Sequence, residues 1–319
     1  MFTWLKLAHA IQSALCNCKF WFTLTREPRN GLTLPSNIQY NLPILKSKGR
    51  FLDISEPVVM GILNATPDSF YNKGRNSNAE SLLRVASDMI NAGAAILDIG
   101  GASTKPGQEL LSADEELMRV MAVVEMVHRH FPEVWLSIDT YNARVAKEAV
   151  EAGVAIVNDV SSGRLDSGMM RTVGELKVPY IAMHMQGTPQ TMQLNPAYGN
   201  VVSDVLEYLQ DVCRECEDAG ITDVIIDPGF GFGKTVEHNF ALLRELAGFK
   251  ALGKPILAGL SRKSMVCKPL KVNPEHALNG TTALNMVALQ NGAAILRVHD
   301  VKEAIEVVKL HKALTGLNP

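Results

Sequence analysis

The chain has 319 residues, 47% of them hydrophobic, and a formal net charge of -2. That is ample material for one large core, and the balanced charge excludes a surface built to grip nucleic acid or an anionic membrane. No apolar run reaches the ~18 residues of a membrane-spanning helix, so the expectation is a soluble domain of about 250 residues with an appendage.

Residues 1–50 differ in character from the rest. They hold Trp4 and Trp21, Cys16-x-Cys18, and a stretch rich in Arg, Pro, Asn and Gly from Arg26 to Asn41. Lys6 precedes a modest apolar run ending at Leu15, but His9 and Gln12 interrupt it and no small-x-small cleavage site follows, which argues against a secretory signal. A poorly ordered or loosely docked extension is expected over 1–50, with the folded domain over 51–319. The five cysteines are odd in number and lack zinc spacing, even at Cys213-x-x-Cys216, so free thiols in a reducing cytoplasm are expected.

From Phe51 the pattern is regular. Short β-branched and apolar runs predict strands over 58–63, 95–99, 134–138, 155–157, 180–183, 224–226, 255–258 and 294–298. Helices are predicted between and after them, over 79–91, 113–130 (with Ser112 as N-cap), 142–152, 167–176, 201–219, 236–249, 274–290 and 301–314. Eight β-then-α units in sequence predict an α/β fold, a (β/α)8 TIM barrel preceded by an N-terminal extension. An open doubly wound sheet binds ligand only at its switch point and would not need polar residues at every strand end.

Here every strand does end on polar chemistry: Asn64, Asp98, Asp139, Asn158 with Asp159, His184, Asp227, Lys263, and Arg297 with His299. In this fold such residues meet at the C-terminal mouth of the barrel. The most telling stretch is VIIDPGFGFGK, 224–234, in which a buried strand delivers Asp227 to a loop whose glycines allow close backbone approach. It is no P-loop, because Pro228 stands at the first required glycine, and its alternating glycines miss the dinucleotide pattern.

Across Phe51 to about Leu314 the sequence resembles the dihydropteroate synthase family of pterin-binding barrels. The residues that carry the likeness are MGILNATPDSF (60–70), DIGGASTKPG (98–107), SIDTY (137–141), VNDVS (157–161), MHMQGTP (183–189), DPGFGFGK (227–234), GLSRKS (259–264) and RVHDV (297–301). The resemblance implies condensation of 6-hydroxymethyl-7,8-dihydropterin pyrophosphate with para-aminobenzoate, Mg²⁺ carried on the diphosphate, and a cytoplasmic homodimer formed through the later helices. By the same resemblance Asp139, Asn158 and Asp227 hold the pterin edge and Lys263 meets its carbonyl. A flat edge of amino and ring N–H donors suits carboxylates and a carboxamide. An isolated Asp before a turn ordinarily caps its own loop; three such groups converging favour binding. Met183 would wall the ring, although a methionine ending a core strand is ordinarily plain core.

Arg297 and His299 lie two residues apart on one strand face, at the strand 7–8 corner where this fold commonly takes phosphate, and would receive the diphosphate. Asn64 would contact the diphosphate and its Mg²⁺. Thr104, Pro106, Phe232 and Ser264 would line the aminobenzoate site under two lid loops, 65–78 and 100–111. Asp139, Lys263, Arg297 and His299 are the residues expected to carry catalysis. Two positions depart from the family: Lys105 stands where Arg is commoner, and Asn72 where a second acid is commoner. Three other readings compete. A pterin-dependent methyltransferase has no use for the anion corner, a class I aldolase would use Lys263 as a Schiff base, and a silent pterin-binding protein would not turn over.

Overall fold

A computed structural model describes residues 44–65, 75–102 and 110–316. They fall within one compact unit, Asn41–Pro319. Its elements are β1 (Ile44–Ser47), β2 (Arg50–Asp53), β3 (Val58–Asn64), α1 (Arg75–Asn91), β4 (Ile96–Gly100), α2 (Ala113–His130), β5 (Trp135–Asp139), α3 (Ala143–Glu151), β6 (Ile156–Asp159), α4 (Met169–Leu176), β7 (Tyr180–Met183), α5 (Val201–Asp218), β8 (Val224–Asp227), α6 (Val236–Arg244), β9 (Leu257–Ala258), α7 (Ser264–Leu270), α8 (Leu278–Gln290), β10 (Ile295–Val298) and α9 (Val301–Thr315).

Eight parallel strands run in the order β8-β7-β6-β5-β4-β3-β10-β9. The seam between β8 and β9 is closed by the Ile226 N–H donating to the Pro255 carbonyl at 2.9 Å and by an Ile226–Ile256 bridge. This is the expected (β/α)8 barrel. The strands are near-continuous apolar runs because each is covered on both faces, by helices outside and by its neighbours' side chains within. The larger core fills the space between sheet and helices, and a second cluster fills the lower barrel: Met60, Ile96, Trp135, Ile156, Ile181, Ile225, Leu257 and Ile295.

That lower cluster is stoppered by an element the sequence reading did not foresee. β1 and β2 form an antiparallel hairpin around Lys48 and Gly49, both at positive φ, the turn geometry that matches strand twist. Leu45 and Ile54 bury themselves against the barrel floor, and Lys46 N–H donates to Asp223 at 2.9 Å. The boundary expected at residue 50 therefore falls inside a hairpin, and the described fold begins at Ile44. Two further differences are local. The helix expected over 236–249 ends at Arg244 and continues as a 3-10 helix, Leu246–Leu252. The segment after β9 forms α7, unforeseen because Pro269 lies within it. Ser112 caps α2 as expected, with Glu115 completing a capping box. Among the described residues Cys213, Cys216 and Cys267 are free thiols.

Candidate active site

Strand register assembles the mouth. Asn64 pairs with Gly100, Gly100 with Asp139, and Asp139 with Asn158, so four adjacent strands end on one level. Across the barrel Met183 pairs with Asp227. Arg297 on β10 reaches into this ring: its Nε donates to Asp98 Oδ2 at 2.6 Å and its Nη2 to Asp139 Oδ2 at 2.6 Å. Asn158 Nδ2 donates to the same Asp98 oxygen at 3.0 Å. Of the acids here, Asp98 was visible in the sequence as a polar strand end but did not stand out as a site residue. The signal available was a lone acid inside the apolar strand AILDIGG.

Charge is crowded here. Burial raises the Asp139 carboxyl to about 7, with Arg297 pulling it down and Asp98 and Glu116 pushing it up. Glu116 on α2 lies beneath the mouth; Asn142 Nδ2 donates to it at 2.5 Å, and burial raises its carboxyl too. Asp159, the neighbour of Asn158, turns the other way. It accepts from Ser161 N–H and Oγ, Gly163 N–H and Tyr180 OH, all within 2.8 Å, and so shapes the loop after β6.

The second half of the mouth is built by the loop after β8. Asp227 Oδ1 accepts the Gly229 N–H at 2.7 Å. Gly229 sits at φ +71°, where an added Cβ would lie 1.9 Å from the His184 carbonyl oxygen, so only glycine fits. Beneath the loop Lys234 is 2% exposed. Its ammonium donates to the carbonyls of Gly229 (2.9 Å), Phe232 (3.0 Å) and His184 (3.2 Å) and contacts His184 Nδ1 at 2.9 Å. Burial, with Lys234 beside it, lowers the His184 imidazole to about 3, so the ring is neutral and Nδ1 accepts. Lys234 is thus an internal latch, which is why the P-loop likeness fails physically: its amine is consumed by the protein's own backbone.

The latched loop meets Lys263. The Lys263 ammonium donates to the Phe230 carbonyl and lies 4.7 Å from the centre of the Phe232 ring. Burial lowers it to about 8, with Asp227 and Asp139 resisting and Arg297 assisting. Met183, Tyr141 and Val160 form a small apolar cluster at the mouth, with Phe232 packed against it. His299 contacts Ser261 Oγ through Nδ1 at 2.9 Å, and that hydroxyl also accepts the His299 N–H at 3.3 Å. The ring proton stands on Nε2 in the tautomer that accepts Ser261 Oγ–H at Nδ1, and on Nδ1 in the tautomer that donates to Ser261. Burial, with Arg262 and Arg297 nearby, lowers this imidazole to about 4, so the ring is neutral. Arg262, at φ +58°, braces the corner by a two-pronged pair with Asp300.

The structure therefore brings Asp139, Asn158, Met183, Asp227, Phe232, Lys263, Arg297 and His299 to the strand ends and loops of one barrel mouth. Asn64 stands exposed on its rim, and Ser264, also exposed, opens α7 beside Lys263. Thr104 and Pro106, with Asp68, Asn72 and Lys105, lie outside the described residues.

A family model described as "Pterin binding enzyme" matches residues 60–299. The dihydropteroate synthase of Escherichia coli (strain K12) is 44% identical over 271 residues, 84% of this chain and 95% of that protein. A crystal structure of Yersinia pestis dihydropteroate synthase in complex with a sulfonamide drug superposes with a TM-score of 0.80 at 42% identity, covering 86% of this chain and 99% of that one. The Xanthomonas albilineans dihydropteroate synthase in complex with 7,8-dihydropteroate gives 0.76 at 34% identity, over 86% and 100% of the two chains. By sequence over four-fifths of its length, and by the barrel that length builds, this chain belongs to the pterin-binding enzymes and, among them, to the dihydropteroate synthases.

Proposed function

We propose that this mouth joins 6-hydroxymethyl-7,8-dihydropterin pyrophosphate to para-aminobenzoate, giving 7,8-dihydropteroate and pyrophosphate. The observation that carries the reading is the contact of two chemistries at one barrel mouth. Carboxylate and carboxamide acceptors (Asp139, Asn158, Asp227) suit the donor edge of a pterin, and a guanidinium reaching them from β10 (Arg297) stands beside a neutral imidazole (His299). A pterin methyltransferase would need the first set and not the second. An aldolase is disfavoured because Lys263 is committed to the Phe230 carbonyl and an aromatic face.

The reaction breaks the bond between the pterin methylene carbon and the diphosphate oxygen and forms one from that carbon to the aromatic amine, which releases a proton. Diphosphate leaves readily and the methylene cation is delocalised into the ring, so ionisation ahead of attack fits. The protein's part is electrostatic: Arg297 and His299 receive developing negative charge, while Asp139 and its neighbours favour the pterin cation. The amine is neutral at physiological pH and needs no strong general base. Magnesium is part of the proposal. Among the described residues no group of three acidic, histidine or cysteine side chains could cage a metal, and the exposed Asn64 offers one hard oxygen, which fits an ion held chiefly by the substrate's phosphates. When bound, Mg²⁺ would supply charge neutralisation at the departing diphosphate. A homodimer is also proposed, supported by the exposed Leu278 and Val287 on α8 and Leu310 and Leu314 on α9. The cytoplasm is the proposed compartment, in keeping with the free thiols.

The direct test is product formation from the two substrates with and without Mg²⁺, on the full chain and on one beginning at Asn41. Product that depends on both substrates is expected; its absence from both chains rules the proposal out. A pH prediction accompanies it. Lys263 is a charged donor only when protonated, and burial brings its loss of charge down to about 8. The kcat/KM for the pterin substrate should therefore fall as pH rises through that value, and Lys263→Arg should move the fall upward. A profile flat to about pH 10, the unperturbed lysine range, would remove Lys263 from the recognition step.

A further inference from the structure

Asp98, on β4, ties together two of the groups that line the mouth. It is 1% exposed, its Oδ2 receives both Arg297 Nε and Asn158 Nδ2, and its Oδ1 meets no donor among the described residues. A carboxylate oxygen 2.6 Å from a guanidinium nitrogen, which carries only donors, accepts there. This decides which end of the Asn158 amide faces it, a choice that carboxamide shape alone leaves open. Only the NH₂ end can do so. Asn158 Oδ1 is thereby turned away from Asp98, and it makes no protein hydrogen bond among the described residues. The same carboxylate fixes Arg297: with Nε on Asp98 and Nη2 on Asp139, the guanidinium is stretched between β4 and β5, and Nη1 is the nitrogen that carries neither acid.

We propose that Asp98 is a positioning residue that sets the hydrogen-bond polarity of the heterocycle subsite, presenting Asn158 as an acceptor and holding Arg297 in register without itself touching the substrate. The inference rests on the pterin reading above and deepens it.

The test is Asp98→Asn, which keeps size and shape. A carboxamide at 98 loses the charge that Arg297 and Asn158 share on one oxygen, and it can present either its oxygen or its NH₂ to the Asn158 amide. The Asn158 amide is then no longer confined to one orientation, and in the flipped one its NH₂ meets a donor edge. The KM for the pterin diphosphate should rise about 10- to 100-fold, the usual worth of a charge-assisted hydrogen bond. The KM for para-aminobenzoate should change less than about 3-fold. Asp98 also helps to keep the Asp139 carboxyl high, so its neutralisation should move the acid limb of kcat/KM to lower pH, a shift that a packing role would not cause.

Unchanged KM values and pH profile in Asp98→Asn would overturn the inference. If Asp98→Asn does not fold by thermal melt, Asn158→Asp alone carries the test. It sets two carboxylates face to face and should raise the pterin KM; an unchanged or lower KM would sink the idea. A wild-type chain that makes no product defeats the underlying pterin reading instead.

Discussion

Replacing Arg297 by methionine should lower kcat/KM by about 10²- to 10³-fold, the usual cost of deleting one preorganised donor aimed at developing negative charge. The loss has two physical sources. The guanidinium is removed from the diphosphate corner, and two carboxylates of the mouth lose the cation that neutralises them at 2.6 Å each. Asp139 is already raised by burial, with Arg297 the chief influence holding it down. Without that pull its carboxyl rises further and is protonated at neutral pH, where a ligand edge rich in N–H groups needs an acceptor. The sign is therefore fixed: the acid limb of kcat/KM should move to higher pH, opposite to the Asp98→Asn shift. Arg297→Lys keeps the charge but cannot span both acids and should recover only part of the rate. Initial rates between about pH 5 and 9, the span around the unperturbed histidine range, read all three at once. A methionine variant working at near-native rate would remove Arg297 from the chemistry.

Lys234→Met should have the largest effect on stability. It removes three N–H groups shared among four acceptors: the carbonyls of His184 and Phe232 and His184 Nδ1 lose the ammonium, while the Gly229 carbonyl keeps the Phe232 N–H at 3.1 Å. Each buried acceptor left unmade costs about 1–3 kcal/mol. The native ammonium carries its own desolvation cost, visible as a pKa driven well below the ordinary lysine value by burial. The net loss should therefore be about 3–5 kcal/mol, the range for breaking a buried charged network. For a domain of this size that is a fall in Tm of about 6–15 °C. The functional consequence runs through the backbone. Gly229 to Phe232 would lose its latch, and with it the Phe230 carbonyl and Phe232 ring that hold Lys263. The pterin KM should rise even at temperatures where the barrel is intact. A variant melting within about 2 °C of wild type, less than 1 kcal/mol of change on this scale, would mean that the latch is not holding the loop.

How much of this could be read from the chain alone differs from residue to residue. The barrel was legible because strands covered on both faces leave uninterrupted apolar runs, and each run is broken by a polar residue where it meets the mouth. Asp139, Asn158, Asp227 and Arg297 announce themselves in that way. Register then places them on one level, since parallel neighbours advance together. Asp98 was half legible, a polar strand end whose partner, Arg297, stands 199 positions away. Lys234 was misleading, because a lysine after glycines suggests a phosphate until its surroundings reveal four acceptors. The hairpin Ile44–Asp53 was illegible, being two strands of four residues each with little alternation. Helix α7 was hidden by Pro269, tolerated because the helix is only seven residues long.

The stoppered lower end of the barrel has a consequence for traffic. With Leu45 and Ile54 seated on a packed apolar layer, the described residues close the barrel's lower end and leave its reactive groups facing the opposite rim. Two reactants must enter by it, and two products must leave the same way. A slow exit of either product would therefore hold the other's entrance shut.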